Sequence, residues 1–370
     1  MKKIYKHIDS EIDDELISTF RDVVNGNSNF VFHVYKEKNV KNQWNPICSC
    51  MDWISVAIRA IQEAPQFSSD IDVRVMQTYS LISSIDIVNE SITSLFSIFF
   101  NQQGRTSPFK GEKRHFLKSD YADDDMHFKE IRAMFGAHPM NLDGGNGERL
   151  FASWPHDSFN TDHDLQVILY SNLVDAKDRS FGINFVELFN FLQSRYSYLN
   201  DLIIEINRQY QQFCNEKKKV KIVQSSDVME QLEILSQESK FRLNNDYYNS
   251  EIQNLKMIFG AKTEIPELAE KEREFKVVKR KLLSEITNNL QDMNLVDLVQ
   301  SVTTKRSNIE KELRYEIPKL YQWIYSQKED SLLEHYIERL NAMTGGTYRF
   351  YAGDSPEVTL LKLKMCLHFQ

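Results

Sequence analysis

Glycine and proline are too scarce in this chain to interrupt it often. Of 370 residues, 12 are Gly and 8 are Pro, about 5% together against a usual ~12%. Tight turns are therefore few, long uninterrupted elements are favoured, and a mainly α fold is the expectation. Hydrophobic residues make up 41% and aromatic residues 12%, which is enough apolar surface for a packed core. The length leaves room for two or three domains of roughly 100 to 200 residues each. With a net charge of −8, the whole molecule lacks the field of a general nucleic-acid binder, so any such site must be local. Of the four cysteines only Cys48 and Cys50 are close, and a lone Cys-x-Cys lacks the second pair of a zinc site, so reduced thiols are expected. The opening MKKIYKHIDSEIDDEL has two lysines but no apolar run behind them. No later window approaches ~18 uncharged apolar residues, and the expectation is a cytoplasmic protein with no membrane segment.

The pattern predicts an opening helix with Asp9 and Ser10 as cap candidates, Leu16, Ile17, Phe20 and Val24 on its apolar face and Gly26 as its stop. Residues 29–37, NFVFHVYKE, are rich in β-branched and aromatic side chains and read as a strand. At the other end Leu361, Leu363, Met365, Leu367 and Phe369 alternate with Lys362, Lys364, Cys366 and His368, a period of two that reads as a second strand. With residues 347–351 and the turn-forming AGDSP before it, this becomes a hairpin, and the two chain ends are expected to share a small terminal β-sheet. Between them, helical spacing covers 52–64, 70–100, 126–138 and 185–213, while 149–154 and 165–170 look like a hairpin pair. From 216 to 345 the chain is charged and helical, with Pro266 and Pro318 at breaks or first turns. Antiparallel helical hairpins joined near Gly260 and Asn294 are expected there. The segments expected are 1–47, an N-terminal helix and strand; 48–215, a central helical domain; 216–346, charged helical hairpins; and 347–370, a C-terminal hairpin.

On the helix predicted over 70–100, Ile82, Ile85, Ile92, Leu95, Phe96 and Phe99 cover a broad apolar arc. Asn89 falls inside this arc and Asp86 at its edge, and a buried amide or carboxylate needs a partner. Farther on, Asp123, Asp124 and Asp125 precede a helix whose positive end they fit as caps. That helix carries FKEIRAMFGAHPMNL at 128–142, where Phe128, Ile131, Met134, Phe135 and His138 project to one side and Arg132 to its border. Arg132 and His138 are six positions apart, a rise of ~9 Å and a rotation of ~120° on a regular helix. One copy does not close a compact site; two copies around a twofold axis can.

The Arg132 to His138 spacing resembles the signature of the HEPN superfamily, an arginine, four to six residues and a histidine, preceded here by a long helix bearing Asp86, Asn89 and Glu90. The likeness covers roughly 48–213, and it departs from the family at Ala133, where members often carry a polar residue. It implies a central HEPN-like helical domain that dimerises through the motif helices and, in active members, cuts RNA without a metal or cofactor. In that role His138 is the general acid or base and Arg132 the fork that holds the phosphate. Asp86, Asn89 or Glu90 orients either group, Asn89 foremost. The basic stretch 105–118, with Arg105, Lys110, Lys113, Arg114 and Lys118 against Glu112, would hold the RNA backbone. The function implied is a metal-independent endoribonuclease of a toxin or antiviral-defence system, with RNA, a second copy and an inhibitor or antitoxin protein as partners.

A competing reading is a non-catalytic helical dimer acting as an interaction or regulatory module, which Ala133 and the net acidity favour. A third is a metal-dependent hydrolase built on His156, Asp157, Asp162, His163 and Asp164, residue types that suit zinc or manganese but that crowd one loop. His127 and His138 stand ~16 Å apart on a regular helix and cannot share an ion. No Walker lysine, GxGxxG, HExxH or GxSxG motif is present, so P-loop hydrolysis and hydride transfer have no support.

Overall fold

A computed structural model describes residues 12–102, 106–137, 139–157, 162–295 and 313–369. The protein is mainly helical with one small antiparallel sheet. It divides into two compact units, Met1–Tyr210 and Gln211–Gln370.

The first unit opens with α1 (Glu15–Tyr35), α2 (Trp44–Gln62) and α3 (Ile71–Phe99). Leu16, Ile17, Phe20 and Val24 are buried as their spacing predicts, while Asp9 and Ser10 lie outside the described residues. Gly26 kinks α1 instead of ending it: Asn27, Ser28 and Asn29 take left-handed φ of 52°, 55° and 59°, and the helix then resumes. Residues 29–37 are therefore no strand. Their aromatic and β-branched side chains bury Phe30, Val31 and Tyr35 on a helix, a tertiary gain that outweighs local β-propensity. Tyr35 donates to Gln209 Oε1 at 2.5 Å, and Gln209 in turn donates to the Phe99 carbonyl at 2.7 Å, so α1 and α3 are tied by a satisfied polar pair.

Helix α3 begins at Asp70, whose carboxylate accepts from the N–H groups of Asp72 and Val73, and it packs on α2. Its length and composition alone suffice to cross a membrane, uniquely among the described residues, contrary to the expectation that no window comes near. Its apolar residues Ile82, Ile85, Val88, Ile92 and Leu95 are fully buried within the protein.

Helix α4 (Asp124–Arg132) passes directly into a π-helical turn, Ala133–Ala137. Four strands follow, β1 (Leu142–Gly145), β2 (Glu148–Ala152), β3 (Leu165–Ser171) and β4 (Arg179–Ile183), paired antiparallel in that order. The expected hairpin pair is β2 and β3, registered with Phe151 opposite Tyr170. The outer strands escape sequence reading because β1, LDGG, has little strand character. Asn146 and Gly147 between β1 and β2 both have positive φ, 49° and 84°, the combination a two-residue hairpin turn requires. Phe181 of β4 stacks on His127 of α4 at 5.4 Å, which sets the sheet against that helix. Then α5 (Phe185–Ser197) and α6 (Leu199–Lys219) continue the chain.

The second unit holds α7 (Val228–Phe241), α8 (Asp246–Gly260), α9 (Ala269–Gln291), α10 (Glu316–Ser326), α11 (Leu333–Met343) and α12 (Pro356–Phe369). Pro266 opens a short 3₁₀ turn before α9, and Pro318 sits in the first turn of α10. The expected C-terminal hairpin, and with it the terminal sheet, is absent: residues 356–369 form a helix. Alternation misleads here because α12 is buried on nearly all sides, so no 3.6-residue stripe stands out. Its buried lysine has partners of its own, while the hydroxyl of buried Thr359 has none among the described residues. Lys362, 2% exposed, donates to Asp354 at 2.6 Å and to the Arg349 carbonyl at 2.9 Å.

Arg242 is fully buried and closes the open end of α6. It donates to the Lys217 and Val220 carbonyls at 2.8 and 2.7 Å and to Glu238 at 2.9 Å, satisfying orphan helix-end carbonyls. Arg242→Ala strands these acceptors and an acidic partner. It is expected to lower the unfolding free energy by about 3–5 kcal/mol, read as a fall in urea midpoint at unchanged m-value.

Candidate functional site

The three aspartates at the start of α4 divide the work of building one surface. Asp123 caps the helix by accepting from Met126 N–H at 2.8 Å. Asp124, completely buried, accepts from the N–H groups of Arg114, His115 and Phe116 at 2.8 to 3.3 Å and thereby fixes the basic loop against the helix start. Asp125 accepts from Ser107 Oγ at 2.5 Å and from Arg195 Nη2 at 2.7 Å. Arg195 is 1% exposed and clamped between the rings of Phe109 and Phe191, 4.1 and 3.9 Å from their centres, which compensates its burial with two cation–π contacts.

This framework leaves a cleft of about 270 Å³ lined by Asp86, Asn89, Glu90, Thr93 and Phe128 together with Ser107, Asp125, Lys129 and Arg132. Four residues singled out in the sequence, Asp86, Asn89, Glu90 and Arg132, thus meet at one place. Arg132 Nη1 donates to Asp86 Oδ2 at 2.8 Å, with 40% of the arginine side chain and 23% of the aspartate side chain exposed. The carboxylate therefore orients the guanidinium without covering it. Asn89 Oδ1 is buried and has no hydrogen-bond partner among the described residues, an acceptor whose desolvation nothing offsets. An adjoining hollow of about 350 Å³ shares Ser107, Asp125 and Lys129 and adds Thr106, Lys110, Asp123 and Met126.

Arg105 and His138 lie outside the described residues, and the motif helix does not run regularly to position 138. After Arg132 it widens into the π turn, so the regular-helix projection of rise and angle does not carry through it. The basic loop reaches the cleft only in part. Lys110 lines the adjoining hollow, whereas Lys113 donates to the Ser119 carbonyl and Arg114 pairs with Glu112 at 3.4 Å. Lys118 is exposed and lines neither hollow.

Sequence reading missed Lys129, one turn before Arg132 and legible from helical spacing alone. It also missed Ser107 and Arg195, which tertiary contact brings in without a local signal, and it read Asp125 only as a cap.

The crowded loop does not converge on an ion. His156 pairs with Gln166 through backbone hydrogen bonds at 2.9 Å each way, and Asp157 pairs with Arg74. The His163 ring lies where any side chain on Gly182 would have to go. Asp162 offers its carbonyl to Asn184, and Asp164 Oδ2 accepts from Phe185 N–H at 2.7 Å, capping α5. Among the described residues no group of three His, Cys, Asp or Glu side chains is placed to hold a metal. None of the four cysteines is joined in a disulfide.

Two outcomes follow for the framework. Asp124→Ala leaves three loop N–H groups without their acceptor and is expected to cost about 2–3 kcal/mol, with faster hydrogen exchange at Arg114, His115 and Phe116. His127, packed among Phe116, Tyr121 and Phe181, is driven down to about 4 by burial. The unfolded chain therefore binds this proton first as pH falls, and stability contributed by neutral His127 is lost between about pH 6.5 and 4. The free energy of unfolding measured across that window is expected to fall less steeply for His127→Phe than for the wild type.

Comparison with protein-family models, with curated proteins and with solved structures gives no match to this chain.

Proposed function

We propose that the Arg132 cleft is the site of a metal-independent endoribonuclease of HEPN type, working as a cytoplasmic homodimer in a toxin or antiviral-defence system. The observation that carries this reading is the pairing of an oriented, half-exposed guanidinium with an unsatisfied buried acceptor in one cleft. Arg132 offers its free N–H groups to the phosphoryl oxygens, where negative charge grows in the transition state. Asn89 Oδ1 accepts from the ribose 2′-hydroxyl, the group that distinguishes RNA from DNA. That hydroxyl attacks the neighbouring phosphorus and gives its proton to a base. The P–O5′ bond breaks, and the 5′-oxygen takes a proton from an acid, leaving a 2′,3′-cyclic phosphate. His138 and its copy in the second chain are assigned these two proton transfers. Lys129, and Lys110 in the adjoining hollow, contact flanking phosphates. An inhibitor or antitoxin protein would keep the activity in check.

A second reading, a non-catalytic dimer used for partner binding, is favoured by one feature: the charge of Arg132 is already matched by Asp86. The two readings separate on purified protein incubated with total RNA in the presence of EDTA. Cleavage by the wild type is expected to drop by about 10²–10³-fold in Arg132→Ala and by about 10²–10⁴-fold in His138→Ala. Fragments ending in cyclic phosphate are expected. Identical behaviour of wild type and both variants removes the nuclease and leaves the binding module.

A further inference from the structure

Helices α1 and α2 pack together, and a hollow of about 360 Å³ lies between them, sharing no residue with the Arg132 cleft. Its size is toward the small end of the range for small-molecule pockets. The start of α1 contributes Asp14, Ile17, Ser18 and Arg21, and α2 contributes Ser55, Ile58 and Arg59, at spacings of three and four that put each set on one helix face. Ile17 and Ile58, 5% and 1% exposed, give it an apolar floor.

Ser55 anchors both arginines. Its hydroxyl accepts from Arg21 Nε and Nη2 at 3.3 and 3.2 Å, and its carbonyl accepts from Arg59 Nε at 3.2 Å. Arg21 Nη2 also donates to Asp52 Oδ1 at 2.7 Å. Among the described residues, Arg21 Nη1 and both terminal nitrogens of Arg59 make no hydrogen bond. Arg21 is thus matched by an acid, whereas Arg59, fixed at Nε, keeps its charge and its outer fork unengaged.

The acid of the hollow is unengaged too. Asp14 stands at the N-cap of α1, yet its side chain accepts no capping hydrogen bond, and the Glu15 N–H goes to Asp13 Oδ1 at 3.0 Å instead. Among the described residues Asp14 forms no ion pair, with Arg59 or with any other cation. A carboxylate and a guanidinium therefore face one hollow over an apolar floor without closing on each other. Opposite charges so placed fit a ligand that carries both signs. Its carboxylate takes the Arg59 fork, its ammonium takes Asp14, and an aliphatic body covers Ile17 and Ile58. A free amino acid carries both charges side by side; a peptide end carries one.

We infer that this hollow binds a free α-amino acid with an aliphatic side chain, its carboxylate on Arg59 and Arg21 Nη1 and its ammonium on Asp14. The inference does not depend on the nuclease reading. Calorimetric titration of the full chain with leucine tests it, beside isocaproate, which lacks the ammonium, and isoamylamine, which lacks the carboxylate. Leucine is expected to bind saturably and at least about tenfold more tightly than either analogue. Arg59→Gln and Asp14→Asn, both at exposed positions, are each expected to weaken leucine by at least about tenfold at an unchanged melting temperature of the free protein. Asp14→Asn is expected to leave the affinity for isocaproate as it is, and Arg132→Ala to leave leucine binding unchanged. A concentration-dependent rise in the melting temperature of the wild type with leucine gives a second readout. No saturable binding up to roughly 10 mM leucine, equal affinity for isocaproate, or wild-type affinity in either Arg59→Gln or Asp14→Asn overturns the proposal.

Discussion

The start of α4 carries one carboxylate wholly out of water and another mostly so, and the chain around them is arranged to supply their hydrogen bonds. Asp124 takes three consecutive backbone N–H groups from the loop before it, and Asp125 takes the buried guanidinium of Arg195 from α5. An unpaired buried charge costs several kcal/mol, so loop, α4 and α5 hold or loosen together. Lys129 and Arg132 ride on that same short helix, and the geometry of the cleft is inherited from this acid-centred joint.

Electrostatically the cleft is balanced. Lys110, Lys129 and Arg132 stand among Asp86, Glu90, Asp123 and Asp125, with Asp125 answered by Arg195 and Asp86 by Arg132. A polyanion drawn here would be held by placed hydrogen bonds more than by long-range field, in keeping with a chain of net charge −8. The second unit differs in kind. Its buried cations are individually matched, Arg242 by carbonyls and Glu238 and Lys362 by Asp354.

Long amphipathic helices were legible in the sequence. The Leu16, Ile17, Phe20 and Val24 face and the Asp70 cap of α3 can be read from spacing and residue type. Two segments misled for different reasons. Residues 361–369 are buried on so much of their surface that helix and strand leave the same hydrophobic record, whereas 29–37, with only Phe30, Val31 and Tyr35 buried, read as strand from the local preference of β-branched and aromatic side chains. Asp86 and Asn89 could be singled out because a polar side chain on an apolar arc is conspicuous. Ser107 and Arg195 could not, since their roles arise from segments 18 and 70 residues away from Asp125, a relation that periodicity does not encode.

The π turn at Ala133–Ala137 gives the end of this helix an unusual freedom in evolution. A π turn holds one residue more than the α turn it replaces, so it behaves as an insertion absorbed without breaking the helix. Losing a single alanine there would restore α geometry with little change downstream, whereas the same loss from a regular helix would swing everything after it by ~100°. The π turn is thus the one place on this helix where a codon can be lost while the segment that follows Arg132 keeps its aim.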